Sequence, residues 1–310
     1  MGSDYIAGKF VEVRKLAKTT GRGRDFKFYT EDEKFDWLGR HYEAQSKHDG
    51  CSGIVTLFAP GKAPDNVITQ SRTGEECKSM RMQEGLLWLD FLPVMEKYGS
   101  LVLLTEAWWP GKGQFNEISG AFRKKSEARP KLKFIVSDIL TLEEFDAGKA
   151  HTQYRARMDR GLGIQPKTAA WAWTTRHSPG SYGDPRDLCR SYVNSGGYDG
   201  VVLVDRNAGW VKEEDKSGRK IKVKNELSFD LRVLRREKRI GEKTGRDVYT
   251  LVVSFDGREL GVGSGVPHDV NEVPDTGDIV EVVAMDYSSD GLLREPRYKG
   301  KRFDKLEADR

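Results

Sequence analysis

Apolar and polar positions follow two different periods along the first part of the chain. Runs rich in branched apolar residues at 54–57, 101–104, 134–136 and 200–204 are typical of buried β-strands. Residues 82–98 carry apolar side chains at near-helical spacing, and a second helix is predicted over 184–194, with Asp184 as N-cap and Pro185 as its first residue. Together the two periods predict a mixed α+β domain.

The pattern changes near Asp230. Strand-like blocks at 231–234, 248–255, 259–262 and 279–284 follow one another, and glycine-rich turns separate them. Short strands at this spacing suit a small antiparallel barrel of the OB (oligonucleotide- and oligosaccharide-binding) type. We therefore predict two domains, 1–228 and 229–310, of which the second is all-β.

Composition narrows the class of protein. A length of 310 residues allows two domains, and a net charge of +4 allows a nucleic-acid partner without requiring one. Cys51, Cys77 and Cys189 are far apart and form no CxxC pair, which indicates reduced thiols and not a zinc site. No apolar run approaches the roughly 20 residues that span a bilayer, and no signal-peptide pattern is present. These features predict a cytoplasmic protein with no membrane partner.

Two lysine motifs, 175 positions apart, carry the candidate chemistry: Lys47-His48-Asp49-Gly50 and Lys222-Val223-Lys224. A lysine amine attacks phosphorus only when it is neutral, so the pKa of Lys47 is expected to be lowered by burial and neighbouring cations. Lys222 and Lys224 would neutralise charge on a phosphate. Each motif by itself is ordinary, a lysine before a turn or a solvated strand face, so the hypothesis depends on the motifs occurring together.

Further motifs follow in a fixed order. These are Ser71-Arg72, Thr105-Glu106, residues 115–124, Ser137-Asp138, Tyr198-Asp199-Gly200, residues 293–298 and Arg302-Phe303-Asp304-Lys305. In this order the motifs resemble those of the ATP-dependent DNA ligases of the covalent nucleotidyltransferase superfamily, in the minimal two-domain form found in bacteriophages. The resemblance covers residues 47–305.

The resemblance implies a fold and a reaction. The fold would be an α+β nucleotidyltransferase (adenylation) domain of antiparallel sheets and helices, followed by an OB-fold barrel. The reaction would be the sealing of 5′-phosphate/3′-hydroxyl nicks in duplex DNA through a lysyl-AMP intermediate and adenylylated DNA. ATP and Mg²⁺ (or Mn²⁺) would be the cofactors. The enzyme would be a monomer that serves DNA replication, repair and recombination. It would act in the cytoplasm, or in the host cell's cytoplasm if the protein is viral.

The resemblance also implies roles for individual residues. Catalysis would use Lys47, Lys222 and Lys224. The nucleotide would be bound by Gln45, Asp49, Gly50, Arg72, Glu106, Ile135, Arg302 and Lys305. The metal ligands would be Glu106 and Asp199, since carboxylate oxygens suit Mg²⁺. DNA would be contacted by Arg72, Phe115, Arg123, Lys124, Arg232, Arg235 and Arg294.

Several positions depart from the family pattern. Ser52 stands where most ligases have an arginine, Val204 where a basic residue is usual, and Asp199 where a glutamate is usual. Ser137 replaces the aromatic residue that stacks on adenine. Ile135, on the same strand face by two-residue alternation, is expected to cover the base instead, with Phe134 pointing away.

Two alternatives remain. RNA ligases and mRNA-capping enzymes share the lysine motif, and a non-catalytic OB-fold nucleic-acid-binding protein would account for the basic stretches but not for Lys47 with Glu106 and the lysine pair. NAD⁺ is disfavoured as donor because the extra N-terminal domain and zinc-binding cysteines of that class are missing from this sequence. Asp230 is expected to act as a hinge between the domains.

Overall fold

A computed structural model describes residues 11–12, 30–111, 114–124, 128–212, 218–241, 245–288 and 290–309. The chain divides into two compact units, residues 1–224 and 225–310. This division falls four residues before the predicted boundary between residues 228 and 229.

Three of the six α-helices described in the first unit begin with a side-chain N-cap. The six are α1 (Glu31–His41), α2 (Arg81–Tyr98), α3 (Phe115–Arg123), α4 (Leu142–Asp146), α5 (Tyr154–Asp159) and α6 (Pro185–Ser195). The three with a side-chain N-cap are α1, α4 and α6. Thr30 and Glu33 form a capping box at α1, and the Asp184 side chain accepts a hydrogen bond from the Arg186 N–H at α6. The predicted helices 82–98 and 184–194 are therefore confirmed as α2 and α6.

One sheet of the first unit holds the strand that carries Lys47. Its strands, in spatial order, are β1 (Val11–Glu12), β12 (Lys220–Val223), β10 (Tyr198–Val204), β2 (Glu43–His48) and β9 (Arg176–His177). Only the pairing of β1 with β12 is parallel among these described strands. Apolar residues of α1 and α6, including Leu38 and Cys189, pack against β10 and β12. The same cluster includes Ala44 of β2, so this packing fixes both the strand that bears Lys47 and the strand that bears Lys222.

The second sheet of this unit carries Glu106. Its order is β4 (Val67–Ser71), β3 (Cys51–Leu57), β5 (Leu101–Trp108), β6 (Lys133–Thr141) and β8 (Trp171–Trp173). Helices α2 and α3 pack on it through residues such as Phe91 and Phe122, which are almost fully buried. Two short strands, β7 (Lys149–Ala150) and β11 (Trp210–Val211), pair with each other in a separate antiparallel ladder. The α+β expectation for this part of the chain is confirmed.

The second unit is built on one five-stranded sheet. Its order is β15 (Arg258–Val262), β14 (Asp247–Phe255), β13 (Leu227–Ile240), β16 (Ile279–Ala284) and β19 (Arg297–Lys301), and all these neighbours pair antiparallel. A short hairpin joins β17 (Asp286–Tyr287) and β18 (Leu293–Arg294). A single parallel bridge links Ser264, just after β15, to Arg297 at the start of β19. The four strand-like blocks predicted here all lie within observed strands.

Asp230, the predicted hinge residue, belongs to a strand of the second unit. Asp230 lies inside β13, where it pairs with Glu281 of β16, and it is 4% exposed. In this structure the ladder pairing of β13 with β16 holds the backbone of Asp230, and the hinge role stays a prediction. Within the described residues, no helix is both long and apolar enough to cross a membrane.

Candidate active site

Lys47 meets Asp199 because of a bulge in the neighbouring strand. Lys47 of β2 pairs with Gly200 of β10, and the register shifts between Tyr198 and Gly200. Gly200 has φ +129°, and a Cβ atom there would lie 2.2 Å from the Val223 carbonyl oxygen. Only glycine fits this position. The bulged Asp199 side chain accepts a hydrogen bond from Lys47 Nζ at 2.5 Å.

Asp199 joins the two predicted lysine motifs. Its Oδ2 atom also lies 2.9 Å from Lys224 Nζ, and the three side chains are 11–26% exposed. Burial opposes the ionisation of Asp199, but the two ammonium groups outweigh it and hold its pKa below the ordinary value. Asp199 is therefore a carboxylate that bridges two lysines.

The carboxylates around Lys47 oppose the lowered pKa that is expected from burial and neighbouring cations. Burial does lower the pKa of the amine, but the carboxylates of Asp199, Glu106 and Asp49 together raise it further, so that the net pKa is above the ordinary value. The sequence motif shows the lysine and the nearby Asp49. It does not show that two distant carboxylates reach the same amine.

Glu106 comes to Lys47 from the other sheet. It lies on β5 opposite Ser52 of β3, and burial raises its pKa to about 7, with Asp199 and Asp49 adding to the effect and Lys47 opposing it. Gly50 packs against this strand, since a Cβ there would be 2.4 Å from the Ala107 carbonyl oxygen. The glycine of the motif thus permits close contact with β5, and the motif links the two sheets.

His48, the second residue of the motif, has a structural role. Its ring packs against Trp108 and Tyr198 with centroids 4.7 and 4.9 Å apart. Burial lowers the pKa of His48 to about 3, so the ring is neutral at physiological pH.

The position of Ile135 differs in part from the expectation. Ile135 pairs with Glu106 and therefore shares its sheet face, while the adjacent Phe134 pairs with Ala107 on the other. A register shift leaves Ser137 without a ladder partner, so the alternation that linked Ile135 to Ser137 is interrupted between them. Ile135 is also only 3% exposed.

A buried ionic network surrounds Asp138. The Arg157 guanidinium donates to both carboxylate oxygens of Asp138 at 2.9 Å, and Lys220 Nζ donates to Oδ2 at 3.2 Å. Burial opposes ionisation, but these cations prevail and hold the pKa of Asp138 at about 2. Sequence reasoning missed Arg157 and Lys220. Lys220 could have been found as the first of three lysines that alternate in sequence, two on β12 at 220 and 222 and one just after it at 224.

The remaining candidates of the first unit lie at its surface or on strand faces. Lys222 is partly buried on β12, opposite Val202. Arg72 is exposed in the turn after β4. Phe115, the first residue of α3, is partly buried, whereas Arg123 and Lys124 are exposed at the other end of that helix.

In the second unit four of the five predicted cations contact carboxylates or carbonyl groups. Arg302 donates to both oxygens of Asp230 at 2.8 and 2.9 Å, and Lys305 forms an ion pair with the same carboxylate. Arg235 binds Glu259 through two hydrogen bonds of 2.6 and 2.9 Å. Arg232 donates to the carbonyl oxygens of residues 277 and 306, and Arg294 is partly buried on β18.

The fold and the lysine-centred site can be compared with known proteins. No family model matches the chain, and no curated protein matches its sequence. Among solved structures, one named Pmar-Lig_PreS3 is 20% identical, with a TM-score of 0.69 over 96% of this chain and 68% of that one. A structure from a study of the minimal Lig E DNA ligases is 16% identical, with a TM-score of 0.63 over 85% of this chain and 93% of that one.

The ATP-dependent DNA ligase from bacteriophage T7, solved in complex with ATP, is 15% identical. Its TM-score is 0.52, and the match covers 96% of this chain and 98% of that one. At these identities the comparisons establish the fold. The chain has the fold of the ATP-dependent DNA ligases.

Proposed function

We propose that the chain is an ATP-dependent DNA ligase that seals 5′-phosphate/3′-hydroxyl nicks in duplex DNA. The observation that carries the proposal is the convergence of Lys47 and Lys224 on Asp199, at 2.5 and 2.9 Å, within this fold. Lys47 Nζ attacks the α-phosphorus of ATP, so that an N–P bond forms and pyrophosphate leaves. The AMP then passes to the DNA 5′-phosphate, and the 3′-hydroxyl displaces it.

The residues around Lys47 suit the first step. The amine must lose a proton before it attacks, and burial together with the positive charge of the lysine pair and of a metal ion would favour its neutral form. Lys224, already beside Asp199, and Lys222, two residues before it, would neutralise charge on the α-phosphate. Arg302 and Lys305 would bind the leaving pyrophosphate.

The donor set fits a divalent metal ion. Mg²⁺ keeps several waters and commonly takes one or two carboxylates, and Glu106 and Asp199 interact electrostatically with the same lysine. We propose these two residues as the ligands of Mg²⁺ or Mn²⁺, which would stabilise charge on the phosphates. Within the described residues, no cluster of three or more His, Cys, Asp and Glu side chains offers a richer metal site.

Further residues are proposed to bind the nucleotide and the DNA. Gln45, Asp49, Gly50, Arg72 and Ile135 complete the nucleotide site. The DNA contacts are Arg72, Phe115, Arg123, Lys124, Arg232, Arg235 and Arg294. The bridge between Ser264 and Arg297 supports a sheet closed into an OB-type barrel, because it connects the two edge strands. We thus propose a nucleotidyltransferase domain over 1–228 and an OB-fold domain over 229–310, acting as a monomer.

Covalent labelling tests the proposal. The protein is incubated with Mg²⁺ and α-labelled ATP or GTP and then run on a denaturing gel. We expect label from ATP in the wild type and in a control, Lys97→Ala, which removes an exposed lysine at the end of α2. Lys47→Ala should take up no label but still seal a nick that is already adenylylated.

The other outcomes identify the alternatives. Label from GTP alone would indicate a capping-type enzyme, and label from neither nucleotide a nucleic-acid-binding protein. An adduct of AMP mass on Lys47→Ala would show that the nucleophile is a different residue.

A further inference from the structure

Three ring side chains form a cluster beside the proposed active site. His48 follows the nucleophilic lysine on β2, Tyr198 precedes the bridging aspartate on β10, and Trp108 lies two residues after the buried glutamate on β5. The His48 ring centre is 4.7 Å from that of Trp108 and 4.9 Å from that of Tyr198, and the last two are 5.6 Å apart. Each strand that carries a functional residue thus contributes one ring to the cluster.

One backbone carbonyl joins this cluster to the lysine motif. The Gly197 carbonyl oxygen accepts a hydrogen bond from Trp108 Nε1 at 2.8 Å and another from the Asp49 backbone N–H at 3.0 Å. Trp108 belongs to the sheet that carries Glu106, whereas Asp49 follows β2, the strand of Lys47 in the other sheet. The two hydrogen bonds therefore tie the end of the lysine strand to the neighbouring sheet at a single atom.

Gly197 and Trp108 are closely fitted to each other. Gly197 has φ +80°, and a Cβ atom there would lie 3.0 Å from the Gly111 carbonyl oxygen and 3.1 Å from a ring carbon of Trp108. The glycine therefore allows the backbone to approach the indole. Trp108 is itself 6% exposed and meets the His48 ring edge to face, at an interplanar angle of 78°. The indole N–H thus meets the carbonyl from a fixed direction.

We propose that Trp108 is a positioning residue for the nucleophile. Through the Gly197 carbonyl and the His48 ring, it holds the end of β2 so that Lys47 stays aligned with the α-phosphate of ATP. This inference rests on the proposed function, in which Lys47 attacks ATP. Alignment of a nucleophile changes the rate of attack more than the affinity for the substrate. Sealing of an adenylylated nick uses no lysine nucleophile, so that step should not depend on Trp108.

Single-turnover kinetics of the wild type and Trp108→Phe test this role. Phenylalanine keeps a ring against His48 and removes the indole N–H. The maximal rate of self-adenylylation should fall about tenfold, since displacing a reacting group by about 1 Å can cost roughly a hundredfold. The KM for ATP should change by less than about twofold, because the lost interaction acts on the attack and not on ATP binding. The rate of sealing of an adenylylated nick should stay at the wild-type value.

The matched control is Trp88→Phe. Trp88 lies on α2, is partly buried, and its indole N–H also donates to a backbone carbonyl oxygen, that of Phe58, at 2.8 Å. The control therefore removes the same kind of hydrogen bond from the same unit, and both steps should keep their wild-type rates. Equal slowing of adenylylation in the two variants would show that any lost indole disturbs the unit, and the positioning role would be rejected.

His48 provides a second test that leaves Trp108 in place. His48→Ala removes the ring that the indole contacts, and it should slow self-adenylylation while sealing of an adenylylated nick continues. His48→Phe keeps an uncharged ring at this position and should restore most of the lost rate. Wild-type adenylylation by His48→Ala would reject the cluster as a support for Lys47.

Three other results would overturn the inference. Unchanged adenylylation by Trp108→Phe would reject the positioning role and leave the ligase proposal standing. Equal slowing of adenylylation and sealing by this variant would show a general effect on the fold and not on the nucleophile. A wild type that takes no label from ATP would reject the proposed function itself, and this inference with it.

Discussion

At the scale of single residues, two glycines determine how closely the backbone packs around Lys47. Gly50 lies against the backbone of Ala107, and Gly200 lies against that of Val223. By itself the pair Asp199-Gly200 indicates a turn, but it lies within strand β10 at a bulge. The left-handed φ of Gly200 and the bulged Asp199 are parts of one local conformation, so the backbone and the ion pair depend on each other.

Gly200→Ala should destabilise the first unit by about 3 kcal/mol or more, because it combines a strained φ with a backbone clash. All seven tryptophans lie within residues 1–224, so urea unfolding followed by tryptophan fluorescence reports on this unit. The control is Gly85→Ala, where a Cβ on α2 meets nothing within 4 Å and should stabilise the helix by about 0.5–1 kcal/mol. Equal stability of the two variants would contradict the account of the bulge.

The candidate DNA-binding arginines should contribute unequally. Arg235 is already paired through two hydrogen bonds with Glu259, whereas Arg72 is exposed and has no ion pair within the described residues. The logarithm of the DNA association constant falls linearly with the logarithm of the salt concentration. Replacing Arg72 by Ala should make this slope shallower by about 0.9, the value for one phosphate contact. Arg235→Ala should change it less. Fluorescence anisotropy with nicked duplex DNA measures both slopes, and a larger change for Arg235 would reverse this ranking.

At the scale of elements, the Asp138 network joins β6, α5 and β12. Asp138 and Arg157 are both fully buried, and Lys220 contacts the same carboxylate. A buried charge that loses its partner is strongly unfavourable. The network therefore fixes the relative positions of two strands from different sheets and the helix that presents Tyr154.

Asp138→Asn should cost about 3–5 kcal/mol of the free energy of unfolding of the first unit. The control, Asp36→Asn, removes only a surface ion pair with Arg40 and should cost under about 1 kcal/mol. Tryptophan fluorescence during urea unfolding measures both. A cost for Asp138→Asn no larger than that of the surface pair would show that Arg157 finds another partner.

The same network predicts a pH dependence. The folded pKa of Asp138 is about 2, below its ordinary value of 3.8, so its ionised form stabilises the fold above about pH 4. This contribution should be lost as the pH falls from 4 towards 2. The wild type should therefore lose stability more steeply over this range than Asp138→Asn, in which the group does not titrate. Parallel curves for the two proteins would contradict the assignment.

The elements could be predicted from the sequence where their periodicity is strong, as in α2 and β14. The contacts between them could not. Nothing in the pattern shows that Arg157 of a short helix reaches Asp138, or that Tyr154 meets Gln45, because these pairs depend on how elements pack. The bulge at Ser137 was also missed, since alternation assumes an unbroken ladder. The lysines and Asp199 were found because their order along the chain resembles a known family.

At the scale of the whole molecule, each unit keeps its own set of cations on its own carboxylate. Lys47 and Lys224 bind Asp199 in the first unit, and Arg302 and Lys305 bind Asp230 in the second. Asp230 holds residues 302–309 in two ways: its carboxylate pairs with Arg302 and Lys305, and its backbone N–H donates to Asp309 Oδ2 at 2.7 Å.

Asp230→Asn should loosen the segment around residues 302–309, because Arg302 and Lys305 lose the carboxylate that they share. Trypsin should then cleave faster after these two residues, as measured by mass spectrometry of the intact chain over time. The control is Asp304→Asn, which removes an exposed partner of Arg302 and leaves Asp230 in place. Equal cleavage rates in both variants would show that Asp230 is not the anchor.

The two sets of cations should serve different steps of the proposed reaction. Arg302, in the second unit, is proposed to act on pyrophosphate, which is present only in self-adenylylation, whereas Lys222, in the first unit, acts on a phosphate present in every step. Arg302→Ala should therefore slow adenylylation from ATP by about 10²–10³, as for the loss of one preorganised donor, yet still seal an adenylylated nick. Lys222→Ala should slow both. Single-turnover assays of each step separate the two variants, and equal damage to both steps by Arg302→Ala would show that this arginine does more than bind the leaving group.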